Sequence, residues 1–261
     1  MDTEGLPGLV METVRWLKEQ QLPSEPDDSY RSQLMQAVVR PFVENNLLAL
    51  ERLLPAGVYQ AIPADQRSVT QRALAELVLA SSVFRIVTHS HLDELAKHQP
   101  VLAQAMQHLA TIRRPIDLFG SLSIIEPNSE LWHSLYDAVR RLYFRHRYAS
   151  PQDQLLAHRE AKAVYGNWLE MIFGSDKVHF LLETLWHEIE ITRLSPSVAT
   201  SEALAQLKRA ASELFAKISD EEGAGSTLQG LIAQDEELQR ALADMGAENL
   251  VEWLTTAGGA A

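Results

Sequence analysis

Four side chains in the second half of the chain have the types and the spacing of a metal site. His179, Glu183, His187 and Glu190 follow one another at steps of three and four residues, which on a helix brings imidazole and carboxylate groups close together. The apolar residues of the same segment, however, define a stripe from which Glu183 and His187 point away. We therefore expect this set to face water or a partner and to have a surface or capping role rather than to bind metal.

Other histidines fall on predicted apolar stripes, where neutral imidazoles would be suited to hold haem or a non-haem metal inside a helical bundle. Glu94 lies beside the first two and is the one convincing carboxylate ligand, so His91, His98 and Glu94 are the candidate metal ligands. The candidate cofactor ligands are His91, His98, His146 and His158. About as many of the nine histidines would fall on stripes by chance, so we favour no cofactor and keep haem or metal binding as the alternative.

The densest positive segment of the chain runs from Arg140 to Tyr148. It carries four arginines interleaved with aromatic residues: Arg140, Arg141, Arg145 and Arg147. Such a segment is able to bind a phosphate or a nucleotide, with Arg and Tyr stacking on a base. Its charges also suit the C-terminal end of a helix, where cations interact favourably with the helix dipole. Both interpretations stay open.

Composition excludes several classes of site. The 261 residues include no cysteine, which removes disulfides, thiolate zinc sites, iron–sulfur clusters and cysteine nucleophiles. The net charge of −12 disfavours nonspecific binding to nucleic acid. No apolar run approaches the ~20 residues of a membrane span, and the first residues lack the pattern of a signal peptide. We expect a cytoplasmic protein.

The elements that must position these groups are helices, because apolar residues recur at threes and fours throughout and alternating strand patterns are missing. Proline, glycine and capping residues predict where the helices begin and end. The predicted helices are 6–21; 29–54 with a kink at Pro41; one opened by a Ser68–Gln71 capping box that extends to His98 if unbroken; one from Pro100 that ends before Pro115; one from Asn128 or Ser129 to Tyr148; one from Ser150–Pro151 to Gly174; and one from Asp176 to Arg193. A polar linker is predicted at 22–28 and an irregular piece at 116–125.

The predicted fold is therefore all-α: a bundle of six to eight helices over residues 1–195, followed by an Ala- and Glu-rich helical extension over 196–261. A glycine-rich stretch predicts a flexible break at 221–226 within the extension, and the last four residues are expected to be disordered.

The extension also carries a short apolar seam with coiled-coil spacing, and a tryptophan follows it near the C-terminus. The residues predicted to bind a partner are Leu204, Leu207, Leu214, Ile218 and Trp253. Because the familiar catalytic motifs are absent from the sequence, we expect a non-catalytic regulatory or adaptor protein that binds another protein through helical faces. A homo-oligomer is compatible with the same seam, whereas we do not expect nucleic acid as a partner.

Overall fold

The computed structural model describes residues 11–16, 33–47, 49–126, 132–174, 176–195, 200–218 and 223–259. Within these ranges helices form almost all of the regular structure, beside a single pair of two-residue strands. The predicted all-α class is therefore confirmed. None of the helices in the described ranges is long and apolar enough to cross a membrane.

The chain divides by its internal contacts into two compact units, residues 1–149 and 150–261. The domain boundary predicted near residue 196 stays a prediction. Of the predicted helix 6–21, the described residues 11–16 are helical, and the predicted linker 22–28 lies outside the described residues.

The first unit begins its described core with a helical stretch, 33–47, in which Pro41 lies. Pro41 belongs to the short α-helical turn Arg40–Phe42, and wider π-helical turns, Met35–Val39 and Val43–Leu47, flank it. Proline has no N–H to donate and its ring collides with the carbonyl group one turn earlier. Wider turns relieve this conflict, so the predicted kink takes the form of two π-helical stretches.

Seven further helices and a small sheet follow in the described residues of the first unit. The helices are α1 (Leu50–Leu53), α2 (Ala56–Ala61), α3 (Arg67–Ser81), α4 (His89–His98), α5 (Pro100–Ala110), α6 (Pro115–Gly120) and α7 (Asp137–Arg147). Strands β1 (Ile125–Glu126) and β2 (Ser134–Leu135) pair antiparallel. Helix α3 is central and packs against α1, α5, α6 and α7.

The predicted start of α3 at a Ser68–Gln71 capping box is wrong. The helix begins at Arg67, and the preceding residue, Gln66, caps it without a side-chain hydrogen bond. It also ends at Ser81 instead of reaching His98. Ser81 and its neighbour Ser82 donate their hydroxyls to backbone carbonyls three residues earlier, at 2.9 and 2.6 Å, and such bonds compete with continuation of the helix.

Two further boundaries differ from the sequence-based predictions. The helix ending at Arg147 starts at Asp137, because the chain just before it pairs as β2 with β1; the predicted capping residues Asn128 and Ser129 lie outside the described residues. The piece predicted as irregular, 116–125, contains most of the short helix α6. Because of these differences, residues 1–195 contain more helices than the six to eight expected.

The second unit is an α-helical hairpin with a smaller helical group packed on it. Its helices are α8 (Pro151–Leu169), α9 (Asp176–Leu194), α10 (Thr200–Phe215), α11 (Ala224–Gln234), α12 (Glu236–Asp244) and α13 (Asn249–Gly259), and a 3₁₀ turn, Ala216–Ile218, extends α10. Helix α9 contacts α8, α10, α11 and α12. More than one of its faces is therefore covered.

The predicted starts of α8 and α9 and the predicted end of α9 are confirmed, whereas α8 ends at Leu169, five residues before the predicted stop at Gly174. The Ser150 hydroxyl accepts the Asp153 N–H at 3.1 Å and caps α8, with Pro151 as its first residue. Gly174 adopts φ 77° after α8, a conformation that glycine takes without strain, and α9 begins at Asp176.

The C-terminal part of the chain is more helical than the sequence predicts. Helix α11 begins at Ala224, so residues 224–226 of the predicted break are helical, and residues 219–222 lie outside the described ranges. Helix α13 continues to Gly259, into the stretch predicted to be disordered.

Candidate functional site

The four histidines predicted to bind a cofactor lie in different environments. His91 is fully buried in α4, while His98, seven residues later and about 10 Å along the helix axis, is exposed. His146 is half-buried in α7, and His158 is buried in α8 of the second unit. Across the described ranges, no three His, Asp or Glu side chains form a group that could hold a metal ion. Binding of haem or metal by these residues stays a sequence-based prediction.

His91 instead caps its own helix. The Thr88 hydroxyl accepts the His91 N–H, and His91 Nδ1 accepts the Thr88 N–H, both at 3.3 Å, which completes a capping box. The ring also stacks on Phe84 at 5.6 Å. Burial lowers the pKa of His91 to about 4, partly offset by a backbone hydrogen bond with Ile86, so the ring is neutral at pH 7. The predicted carboxylate ligand, Glu94, pairs with Lys97.

Two of the four arginines of the basic segment are buried or paired within the first unit. Arg140 is buried, and Arg147 donates two hydrogen bonds to the Glu76 carboxylate at 2.6 and 2.8 Å. This bidentate pair is partly shielded from water, since its side chains are 23% and 14% exposed. A phosphate-binding role for Arg141 and Arg145 stays a prediction.

The apolar seam of the extension lies largely inside the second unit. Three of the five residues predicted to bind a partner are buried: Leu207, Leu214 and Ile218. Leu204 and Trp253 are half-buried. Because α10 packs against α9 and α13, a partner cannot reach the buried members of the seam while these helices stay together.

A buried polar network joins α8 to α9. His158 Nδ1 and His187 Nδ1 are 2.8 Å apart, and His158 Nε2 is 3.7 Å from Glu190 Oε2. Glu190 in turn accepts hydrogen bonds from Arg193 at 2.6 and 3.2 Å. The two histidines and Glu190 are each less than 10% exposed.

The predicted exposure of the metal-like set is wrong for Glu183 and His187. Both are buried, as is Glu190, whereas His179 is half-buried. The single apolar stripe of the sequence does not account for the burial of α9. Helices on several sides of α9 cover the face predicted to meet water or a partner.

The histidine pair constrains where protons can reside. A hydrogen bond between two Nδ1 atoms requires one of them to carry a proton and the other to accept it. Both rings therefore cannot be doubly protonated while they keep this contact. Neither histidine lines the cavity between α8, α9 and α10.

No known family, characterised protein or solved structure matches this chain. The two units differ clearly in net charge. The second unit carries 18 acidic and 8 basic residues, which give a net charge of −10, whereas the net charge of the first unit is −2.

The turn that joins α8 to α9 exposes large apolar side chains. Met171 is 62% exposed and Phe173 is 80% exposed, and we call residues 171–174 the hairpin turn. The Met171 N–H donates to the Trp168 carbonyl at 2.9 Å, while the Trp168 ring stacks on Phe180 of α9 at 6.0 Å. Phe173 is thus displayed by a turn that is anchored on packed helices.

Sequence reasoning did not single out Phe173. Its position just before Gly174, the predicted helix stop, predicts a chain turn but not the direction of the side chain. A large apolar residue next to a predicted stop signal was the only available clue.

Proposed function

We propose that the protein is a non-catalytic adaptor that binds a protein partner, and that the hairpin turn is its anchor. The observation that supports this proposal is the 80% exposure of Phe173 on a turn held by backbone hydrogen bonds. Aromatic side chains that enter a partner's pocket contribute strongly to binding energy.

The binding free energy expected from this turn exceeds that expected from isolated exposed residues. Removing a Phe side chain from water contributes about 1.5–3 kcal/mol. An anchored turn also loses little conformational freedom on binding, so less of that energy is offset by entropy. Met171, 62% exposed, adds an adaptable apolar contact to the same turn.

Charge defines the kind of partner. The second unit carries a net charge of −10, so it repels acidic surfaces and attracts basic ones. The proposed partner is therefore a protein with an apolar pocket bordered by Lys or Arg residues. Its association should slow as salt is added, because added ions screen the attraction.

Site-specific photo-crosslinking tests the proposal. A benzoylphenylalanine placed at position 173 should crosslink one protein that mass spectrometry then identifies, and the purified protein should bind the unmodified chain. The matched control carries the same group at Leu156, an apolar residue of α8 that is 57% exposed.

Two results would contradict the proposal. One is the same set of crosslinks from positions 173 and 156, which would indicate nonspecific adhesion. The other is a Phe173-dependent dimer of the chain itself in light scattering, which would assign the turn to self-association.

A further inference from the structure

A groove of about 530 Å³ lies between α8, α9 and α10 of the second unit. Its volume is in the range of small-molecule sites, which are commonly about 300–1,000 Å³. The lining combines apolar side chains, Leu169, Ile191 and Leu214, with the polar groups of Asn167 and Thr184. Such a surface suits a ligand that is partly apolar.

Cations concentrate at this groove although the unit is acidic. Three of its eight Lys and Arg residues, Arg159, Lys162 and Lys217, line the groove, and Glu188 is the only acidic residue among the described residues that line it. Lys162 pairs with Glu188 and Lys217 pairs with Glu170.

Arg159 is exposed and makes no ion pair or side-chain hydrogen bond with the residues that the structure describes. A guanidinium group in this state is available to bind a carboxylate in a two-bond fork.

Gly166 is a further indication that the groove is a binding site. It lies inside the 19-residue helix α8, where glycine is a poor helix former. A Cβ built at this position meets no atom within 4 Å, so packing within the unit does not require a glycine. The residue lines the groove, and its missing side chain keeps the groove open about 10 Å along the axis from Arg159.

We propose that this groove binds a small organic carboxylate with an apolar body. The carboxylate lies at Arg159, and the apolar body extends along α8 past Ala163 and Gly166 towards Leu169. This site is separate from the hairpin turn, because Phe173 does not line the groove.

Competition binding on the full chain tests the proposal, with anilinonaphthalene sulfonate as the fluorescent probe. Octanoate should displace the probe, while octanol, which has the same chain length without the charge, should not. Arg159→Gln should weaken octanoate at least fivefold, and Gly166→Leu, which fills the groove, at least tenfold. The matched control is Arg240→Gln, which removes an exposed arginine of α12 in the same unit.

Gly166→Leu is expected to fold, because leucine is a better helix former than glycine and its Cβ enters open space; circular dichroism of each variant checks this. Equal displacement by octanol and octanoate would overturn the proposal, as would an equal loss of affinity in Arg240→Gln and Arg159→Gln. Unchanged binding in Gly166→Leu would overturn it as well. Phe173→Ser should leave octanoate binding unchanged, so this test is independent of the proposed adaptor function.

Discussion

The capping histidine of α4 should make the stability of the first unit depend on pH. His91 is fully buried, and its Nδ1 accepts a hydrogen bond from the Thr88 N–H. A proton on Nδ1 would face this N–H, break the capping box and place a charge among apolar side chains. The folded protein therefore resists protonation of His91, whereas the unfolded chain does not.

The size of the effect follows from the pKa difference. Burial lowers the pKa of His91 from 6.5 to about 4, and each pKa unit corresponds to about 1.4 kcal/mol. Below pH 6.5 the unfolded state binds the proton and the folded state does not, so stability falls as the pH falls. The contribution is fully present above pH 6.5, and about 3 kcal/mol is lost by pH 4.

The assay compares the free energy of urea unfolding at pH 7 and pH 4 for the original chain and His91→Gln, with hydrogen exchange of first-unit peptides as the local readout. Glutamine is a usual residue at this capping-box position and does not titrate. The variant should lose about 3 kcal/mol less than the original chain over this range. His89→Gln removes a half-exposed histidine of the same helix as the control. An equal reduction of the pH effect in both variants would refute burial as its cause.

Three further predictions concern the free energy of unfolding. Gly166→Ala should raise the free energy of unfolding by about 0.5–1 kcal/mol, because the added methyl group meets no atom within 4 Å; a lower melting temperature would contradict the open space at this position. Arg147→Ala should cost about 1–3 kcal/mol in urea unfolding, since Glu76 loses both hydrogen bonds, and a neutral result would show that the pair is solvated. His158→Leu and His187→Leu should each cost about 1–3 kcal/mol and the double variant less than their sum; strictly additive costs would argue against the hydrogen bond between the rings.

The sequence predicts a helix start well where local residue types determine the backbone. Ser150 followed by proline opens α8 as predicted, but the helix ends at Leu169, and the left-handed Gly174 lies five residues later in the turn. The prediction fails where tertiary contacts decide. Ser68 has the spacing of a capping box but lies inside α3, while the true box uses His91, which the usual Glu or Gln pattern does not include.

The candidate site is less predictable because burial on a central helix has no simple period. Glu183 and His187 lie off the apolar stripe of α9, yet neighbouring helices cover them. The partner of His187, His158, is 29 residues away in sequence, and only the α8–α9 hairpin brings the two rings together. Gly166 appears in the sequence as a weak helix position, and its role at the groove emerges only from the packing around it.

The adaptor proposal is tested most directly by the affinity between the Phe173→Ala variant and the purified partner protein that crosslinking identifies. Loss of an aromatic anchor that the partner buries should weaken binding at least tenfold, or about 1.4 kcal/mol. The free energy of unfolding should not change, because Phe173 is 80% exposed in the chain alone. Leu156→Ala, which truncates an exposed apolar side chain of α8, should bind within twofold of the original chain. Equal affinities for Phe173→Ala and the original chain would contradict the hairpin turn as the anchor.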